Sequence, residues 1–267
     1  MKIKVIVFGA AGRMGSRIVS LAVESSHFDI VGAVETANHP EIGKDIGLLA
    51  MSEPVGIILQ DKPPKSAADV VIDFSLPEVM GMVIDYCLEY KIALVSGTTG
   101  LSEKQREKII AASEKIPIVY ATNMSVGMNV LFSLAGKVAS MLGEDYDIEV
   151  VEQHHRFKKD APSGTALTLA ENICNATGRD FPGSVANGRY GKDALRKKGD
   201  VNVHSVRAGD ITGIHSIIYG TPGETITLNH TANSRDTFVR GALRAAKWIV
   251  DRKPGLYSMK NVLSIKD

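Results

Sequence analysis

Apolar positions in the first 124 residues come as short unbroken runs separated by polar, helix-patterned stretches. Residues 2–8 are largely β-branched with no internal break, as expected of a strand buried on both faces. Runs at 28–34, 70–74, 93–95 and 116–120 repeat that signature. Between them, residues 13–25 place Ile18, Leu21 and Ala22 at helical spacing. Residues 78–89 predict a helix after Pro77, and residues 102–113 one opened by the capping pair Ser102 and Gln105. Strands alternating with helices predict an α/β fold built on a doubly wound parallel sheet. The pattern changes after Asn123. Residues 129–142 and 165–176 predict helices, residues 147–152 a strand, and residues 181–199 a long glycine-rich loop. Three strand-like runs follow at 201–207, 214–219 and 225–230. Gly213 and the Thr221-Pro222-Gly223 turn separate them, so antiparallel hairpins are open to them. This second region therefore reads as α+β with a mixed or antiparallel sheet. Residues 236–250 predict a last helix with Phe238, Val239, Leu243, Ala246 and Ile249 on one side.

Composition changes this picture little. A chain of 267 residues, 44% hydrophobic, can bury a sizeable core. A net charge of +1 without long runs of one sign gives no reason to expect nucleic acid or a membrane surface as partner. Arg196-Lys197-Lys198, set among Gly191 and Gly199, reads as a solvated loop. Cys87 and Cys174 lie far apart in apolar surroundings, as reduced core thiols do, and no metal-ligand spacing is present. Residues 1–8 are too short for a signal-peptide core, and no apolar run reaches the length of a membrane span, so the expected location is the cytoplasm.

Candidate chemistry sits in two places. Gly9-Ala10-Ala11-Gly12-Arg13-Met14-Gly15 follows the first strand and opens a helix, where small residues let the backbone approach a pyrophosphate. Its middle glycine is displaced by one position from the usual dinucleotide pattern. Glu35 lies about 20 residues past Gly15 at the end of the second strand, where a carboxylate accepts from the adenosine ribose. A carboxylate with Thr36 beside it favours NADH, and NADPH stays open. Gly97-Thr98-Thr99-Gly100 and Ala121-Thr122-Asn123-Met124 follow strands of the same sheet, and can line a nicotinamide pocket or be simple turns. The second place is residues 152–167, with His154 and His155, the cations Arg156, Lys158 and Lys159, and a Pro-Ser-Gly-Thr turn before an apolar helix. Histidines titrate near neutrality, and a helix start attracts anions, so this segment suits binding a small polyanion and moving a proton. A basic loop before a capped helix is the plainer reading of the same residues.

These motifs together resemble the 4-hydroxy-tetrahydrodipicolinate (dihydrodipicolinate) reductase family. The resemblance rests on residues 9–15, 96–100 and 123–129, on His154-His155-Arg156-Phe157-Lys158 with Asp160-Ala161-Pro162-Ser163-Gly164-Thr165-Ala166, on residues 207–213, and on His230-Thr231-Ala232-Asn233-Ser234-Arg235. It implies a Rossmann-like dinucleotide domain over 1–124 plus 236–267, a substrate-binding and tetramerisation domain over 125–235, and a homotetramer. It implies NAD(P)H-dependent reduction of a cyclic dicarboxylate in lysine and diaminopimelate synthesis. By the same resemblance His154 and Lys158 are catalytic proton donors, and His155, Gly164 and Thr165 contact substrate. Gly9, Ala10, Ala11, Gly12, Arg13, Met14, Glu35, Gly97, Thr98, Thr99, Ala121, Thr122, Asn123 and Met124 contact NADH or NADPH. Gln153, Phe157 and Thr36 depart from the family pattern, the last where members that accept NADPH well carry arginine. An aspartate- or homoserine-type dehydrogenase would share the glycine turn, and a nucleotide-sensing protein would share Glu35, but neither needs paired proton donors beside an anion cradle.

Overall fold

A computed structural model describes residues 1–65 and 68–266. In chain order the first half holds β1 (Ile3–Phe8), α1 (Gly15–Glu24), β2 (Phe28–Val34), α2 (Ile46–Ala50), β3 (Leu59–Gln60), β4 (Val70–Asp73), a 3-10 turn (Pro77–Val79), α3 (Met80–Tyr90), β5 (Ala93–Ser96), α4 (Glu103–Ser113) and β6 (Pro117–Tyr120). There follow α5 (Val126–Leu142), β7 (Asp147–His154), α6 (Gly164–Thr177), β8 (Val185–Asn187), β9 (Val201–Arg207), β10 (Gly213–Thr221), β11 (Glu224–Ala232), α7 (Asp236–Ile249), β12 (Gly255–Tyr257) and α8 (Met259–Val262). The chain divides into two units, Met1–Val126 with Asp236–Lys266, and Gly127–Arg235.

The first unit is built on a seven-stranded sheet in the order β12-β6-β5-β4-β1-β2-β3, parallel throughout. Period-two alternation divides the strand residues between its faces. Val5, Val7, Val70, Ile72, Val95 and Val119 share a core with α1, α7 and α8. Ile6, Phe8, Val71, Leu94 and Ile118 pack with α3 and α4 on the other face. The strand runs are continuously apolar because both faces are covered, as the doubly wound reading requires. The chain winds outward from β1 in both directions, so the carboxyl ends of β1 and β4 flank a topological switch point, where such sheets hold ligands. The capping box at Ser102 is present, with Gln105 N–H donating to Ser102 Oγ and the Ser102 N–H to Gln105 Oε1.

The second unit carries a five-stranded mixed sheet in the order β11-β10-β7-β9-β8. α5 and α6 cover one face through Ile148, Val150, Val201, Val203, Ile217 and Tyr219, and Tyr219 Oη donates to the Ala135 carbonyl at 2.7 Å. Val151, Ile214 and Ile218 point to the other face and stay partly exposed. Only one of the expected hairpins forms. β10 pairs antiparallel with β11 and β7, whereas β9 runs parallel to β7 and β8. β8 lies inside the expected loop. β7 extends two residues past its predicted end, because Glu152 and His154 continue the inward alternation of Ile148 and Val150 with polar side chains. α5 starts at Val126, three residues early. Arg196 is not solvated as expected. Its side chain is 16% exposed, and its guanidinium bonds Glu149 Oε1 at 3.1 Å and Asp147 at 2.8 Å. Both cysteines are reduced and buried.

Candidate functional site

In the first unit β1 delivers the chain into a turn that tolerates no side chains at two points. Gly9 has φ +71°, where glycine is free of the L-residue penalty, and a Cβ there would lie 2.6 Å from the Phe74 carbonyl oxygen. A Cβ on Gly15 would lie 2.0 Å from the Gly9 carbonyl oxygen. The first turn of α1 receives no side-chain cap and holds no acidic residue, so no carboxylate within that turn competes with an anion for its amino end. Arg13 is exposed beside it. Past the carboxyl end of β2 lies a cavity of about 270 Å³, lined by Gly9, Glu35, Thr36, Asp61, Val79 and Met82 among others. Glu35 accepts from the Thr36 N–H at 3.0 Å, which turns the carboxylate toward the strand end. The turn and the cavity fit a dinucleotide: close backbone for the pyrophosphate, an acid for the ribose and apolar side chains for a flat base.

Asp73 organises the next two loops. It is fully buried at the end of β4, and Oδ2 accepts from Ser96 Oγ and Thr98 Oγ1, each at 2.8 Å. Oδ1 accepts from the Ser75 N–H at 3.1 Å and Ser75 Oγ at 2.5 Å. The loop that carries Gly97, Thr98 and Thr99 is thereby tied to the strand ends, with Thr98 buried and Thr99 exposed. After β6, Ala121, Thr122 and Asn123 are partly or fully exposed, Met124 is buried, and Asn123 Oδ1 accepts from the Ser125 N–H at 2.9 Å. α7 lies directly against this segment: a Cβ on Gly241 would come within 1.7 Å of the Met124 carbonyl oxygen.

In the second unit the polar end of β7 gathers the other set. Glu152 is fully buried. Its Oε1 accepts from Arg207 Nη2 at 2.7 Å and its Oε2 from Nη1 at 2.9 Å, a two-pronged pairing that favours the ionised carboxylate. His154 Nδ1 meets Oε2 at 2.5 Å. Burial opposes ionisation of Glu152, but Arg207, Ser205 and His154 outweigh it and hold the carboxyl at about 2. Burial pushes His154 below the ordinary imidazole value, with the Lys158 and Arg207 cations, while Glu152 pulls the other way. His215 stands edge-on to His154 at 5.2 Å between ring centres, and burial pushes it down to about 3. Lys158 leaves the loop after β7, its N–H donating to the His155 carbonyl at 3.1 Å and its ammonium pairing with Asp160 at 2.8 Å. Ser163 caps α6, accepting from the Ala166 N–H at 3.2 Å, while in the first turn Gly164 is exposed and Thr165 half-buried. His155 is half-buried beside Phe157, at 6.4 Å between ring centres.

Thus the structure brings His154, Lys158, Ser163 and the start of α6 into one cationic region of the second unit, and places the glycine turn, Glu35 and the two later loops at one end of the first sheet. Sequence reasoning left Asp61, Asp73, Glu152, Arg207 and His215 without roles. Acidic residues at strand ends were the available signal for Asp61 and Asp73, and two-residue alternation was the signal for Glu152. Among the described residues no cluster has the makings of a metal site.

Family models match nearly the whole chain. One described as dihydrodipicolinate reductase, N-terminus, covers residues 3–124, and one described as dihydrodipicolinate reductase, C-terminus, covers residues 127–263. A 4-hydroxy-tetrahydrodipicolinate reductase of Syntrophus aciditrophicus is 44% identical over 99% of both chains. One of Citrifermentans bemidjiense is 42% identical over 99% of this chain and 100% of its own. A dipicolinate-bound dihydrodipicolinate reductase from Paenisporosarcina sp. TG-14 shares the fold with a TM-score of 0.75 at 23% identity, over 98% and 99% of the two chains.

Proposed function

The chain belongs to the dihydrodipicolinate reductase family, and from that premise we propose how its own residues divide the work. The activity is NAD(P)H-dependent reduction of 4-hydroxy-tetrahydrodipicolinate, in lysine and diaminopimelate synthesis. Loss of water leaves a C=C bond conjugated with the ring C=N. Bound NAD(P)H supplies a hydride to the far carbon of that C=C. The electron pair moves toward nitrogen, and a proton delivered to the neighbouring carbon restores the C=N. The protein must hold two carboxylates, supply one proton, and steady the negative charge that develops on the ring.

In this proposal the first turn of α6, with Gly164 and Thr165, takes one carboxylate, and His155 contacts the substrate beside it. His154 delivers the proton, and Lys158 stabilises the developing charge and serves as second donor. The observation that carries this reading is the convergence of His154, Lys158 and the α6 cap at the end of β7. A bound dicarboxylate raises the proton affinity of His154 by its own charge, offsetting the effect of burial. Gly9, Ala10, Ala11, Gly12, Arg13 and Met14 hold the pyrophosphate, Glu35 the ribose, and the loops at 97–99 and 121–124 the nicotinamide. The assay is oxidation of NADH on addition of the enzymatically generated substrate. No oxidation above the background of heat-inactivated protein sinks the reading.

Glu35 and Asp61 put two carboxylates on the adenosine cavity, and among the described residues no lysine or arginine lines it. A ribose 2′-phosphate would meet repulsion there, so NADH is expected to be the better substrate by at least about tenfold in kcat/KM. Thr36→Arg is expected to raise kcat/KM for NADPH by about tenfold, the worth of a charge-assisted hydrogen bond. Equal use of both nucleotides by the unaltered protein defeats this account.

The partly exposed Val151, Ile214 and Ile218, with Val206 40% exposed on the neighbouring strand, support tetramer assembly through the sheet face that α5 and α6 leave uncovered. Light scattering is expected to give the mass of four chains, and a monomer at micromolar concentration contradicts it. Among the described residues no helix is long and apolar enough to cross a membrane. The proposed location is the cytoplasm.

A further inference from the structure

One buried carboxylate in the second unit touches the proposed proton donor, a guanidinium and the cap of the carboxylate cradle. Glu152 Oε2 lies 2.5 Å from His154 Nδ1, and its two oxygens together accept the Arg207 fork. Oε1 also accepts from the Ser163 N–H at 3.2 Å, at the residue that caps α6. The geometry has a local cause. Glu152 and His154 are two apart on β7 and so share its inner face, while Arg207 is the register partner of His154 on β9. Arg207 Nη2 donates as well to the Asp160 carbonyl at 2.6 Å, which fixes the loop between Lys158 and the α6 cap.

We propose that Glu152 is a positioning residue for the proton transfer: by accepting the Nδ1 hydrogen of His154 it dedicates Nε2 to the substrate, and it holds that imidazole in register with the α6 carboxylate cradle. This rests on the reading of His154 as proton donor. An ionised carboxylate only accepts, so the nitrogen facing it carries hydrogen in both the neutral and the charged ring. Arg207 keeps the carboxylate ionised. The other groups facing His154 do not substitute for it. Lys158 and Arg207 are cations that disfavour the imidazolium, His215 is neutral and edge-on, and Asp160 is committed to Lys158. Glu152 is therefore the group in contact with the ring that sustains its charged form. In the serine-protease triad, exchanging the orienting carboxylate for an amide costs about 10⁴ in turnover through the wrong tautomer.

The test is Glu152→Gln, with kcat followed from pH 4.5 to 9 (an interval of about two units or more on each side of the ordinary imidazole value) at saturating NADH and substrate. The amide can donate to Nδ1, which disfavours the imidazolium. The active form is the charged ring, so rate is lost as pH rises through its pKa. That alkaline limb is expected to move about one unit or more to lower pH, with kcat at neutrality down about 10²-fold. Binding of NADH alone is expected to stay within about twofold, because the nucleotide site lies on the other unit. An alkaline limb that does not move overturns the proposal, whatever happens to the rate. Should the variant fail to fold, the unaltered protein decides: ¹⁵N imidazole shifts of His154 at alkaline pH are expected to show the Nδ1–H tautomer, and the Nε2–H tautomer overturns it. His154→Ala separates the two levels of argument. If that variant keeps the unaltered rate, the donor assignment itself falls, and the tautomer measurement still judges the contact with Glu152.

Discussion

Lys158→Ala is expected to lower kcat by about 10²–10⁴-fold, the range of general acid and charge-stabilising groups, with the Kd for NADH unchanged. The Lys158 side chain is 22% exposed and its ammonium pairs with Asp160, whose side chain is 58% exposed. A pair with one arm so solvated contributes about 0–1 kcal/mol to stability, so removing it leaves the fold intact and the melting temperature within a few degrees. The rate loss then has no structural origin to hide behind. Steady-state kinetics with NADH, together with a fluorescence titration of NADH alone, separate the two effects. Undiminished turnover removes Lys158 from the mechanism. A collapse of NADH affinity with intact chemistry would instead mean that the division of labour between the units is mistaken.

Gly15→Ala is expected to do the reverse. The added methyl would sit 2.0 Å from the Gly9 carbonyl oxygen and 2.6 Å from Ala10 Cα. Both are backbone atoms, so no side chain can swing aside, and the turn has to open. Overpacking of this kind costs about 1–3 kcal/mol, and here it falls on the segment that meets the pyrophosphate. The Kd for NADH should rise about 10- to 100-fold, while circular dichroism shows the same secondary structure. The glycine turn loses its assigned role if NADH binds the variant as tightly as the parent.

Much of this arrangement was legible in the order of residues, and what was not has physical reasons. The strands at β1, β2, β4, β5 and β6 announced themselves because burial on both faces makes their runs mostly apolar, with polar residues such as Lys4, Asp29, Asp73 and Ser96 towards their ends. β3 and β12, of two and three residues, are too short to show any period, and only their neighbours in the sheet define them. The end of β7 was misjudged because Gln153 and His154 look like the start of a polar loop. Both Glu152 and His154 are inward-facing positions of a strand, and the Glu152 carboxylate stays ionised there because Arg207 arrives from β9. That meeting joins residues 55 apart, and no local pattern encodes it. For the same reason Arg196 read as a solvated cation, although Glu149 and Asp147 wait for it on β7. His154, Lys158, Gly164 and Thr165 stood out as candidates because they lie in one short segment of distinctive composition.

α7 closes one face of the first sheet with Val239, Ala242, Leu243, Ala245, Ala246 and Ile249, and β12 adds the edge strand after it. A ribosome therefore releases six strands of that sheet long before the helix that seals them. At about 5–20 residues per second, the roughly 110 residues in between occupy something near ten seconds. Throughout that interval the nascent amino-terminal half exposes the face that α7 later covers, and by its end the intervening unit, contiguous in the chain, has every residue of its own core. Maturation in the cell thus runs from the middle outward, and the nucleotide-holding half is the last to become complete.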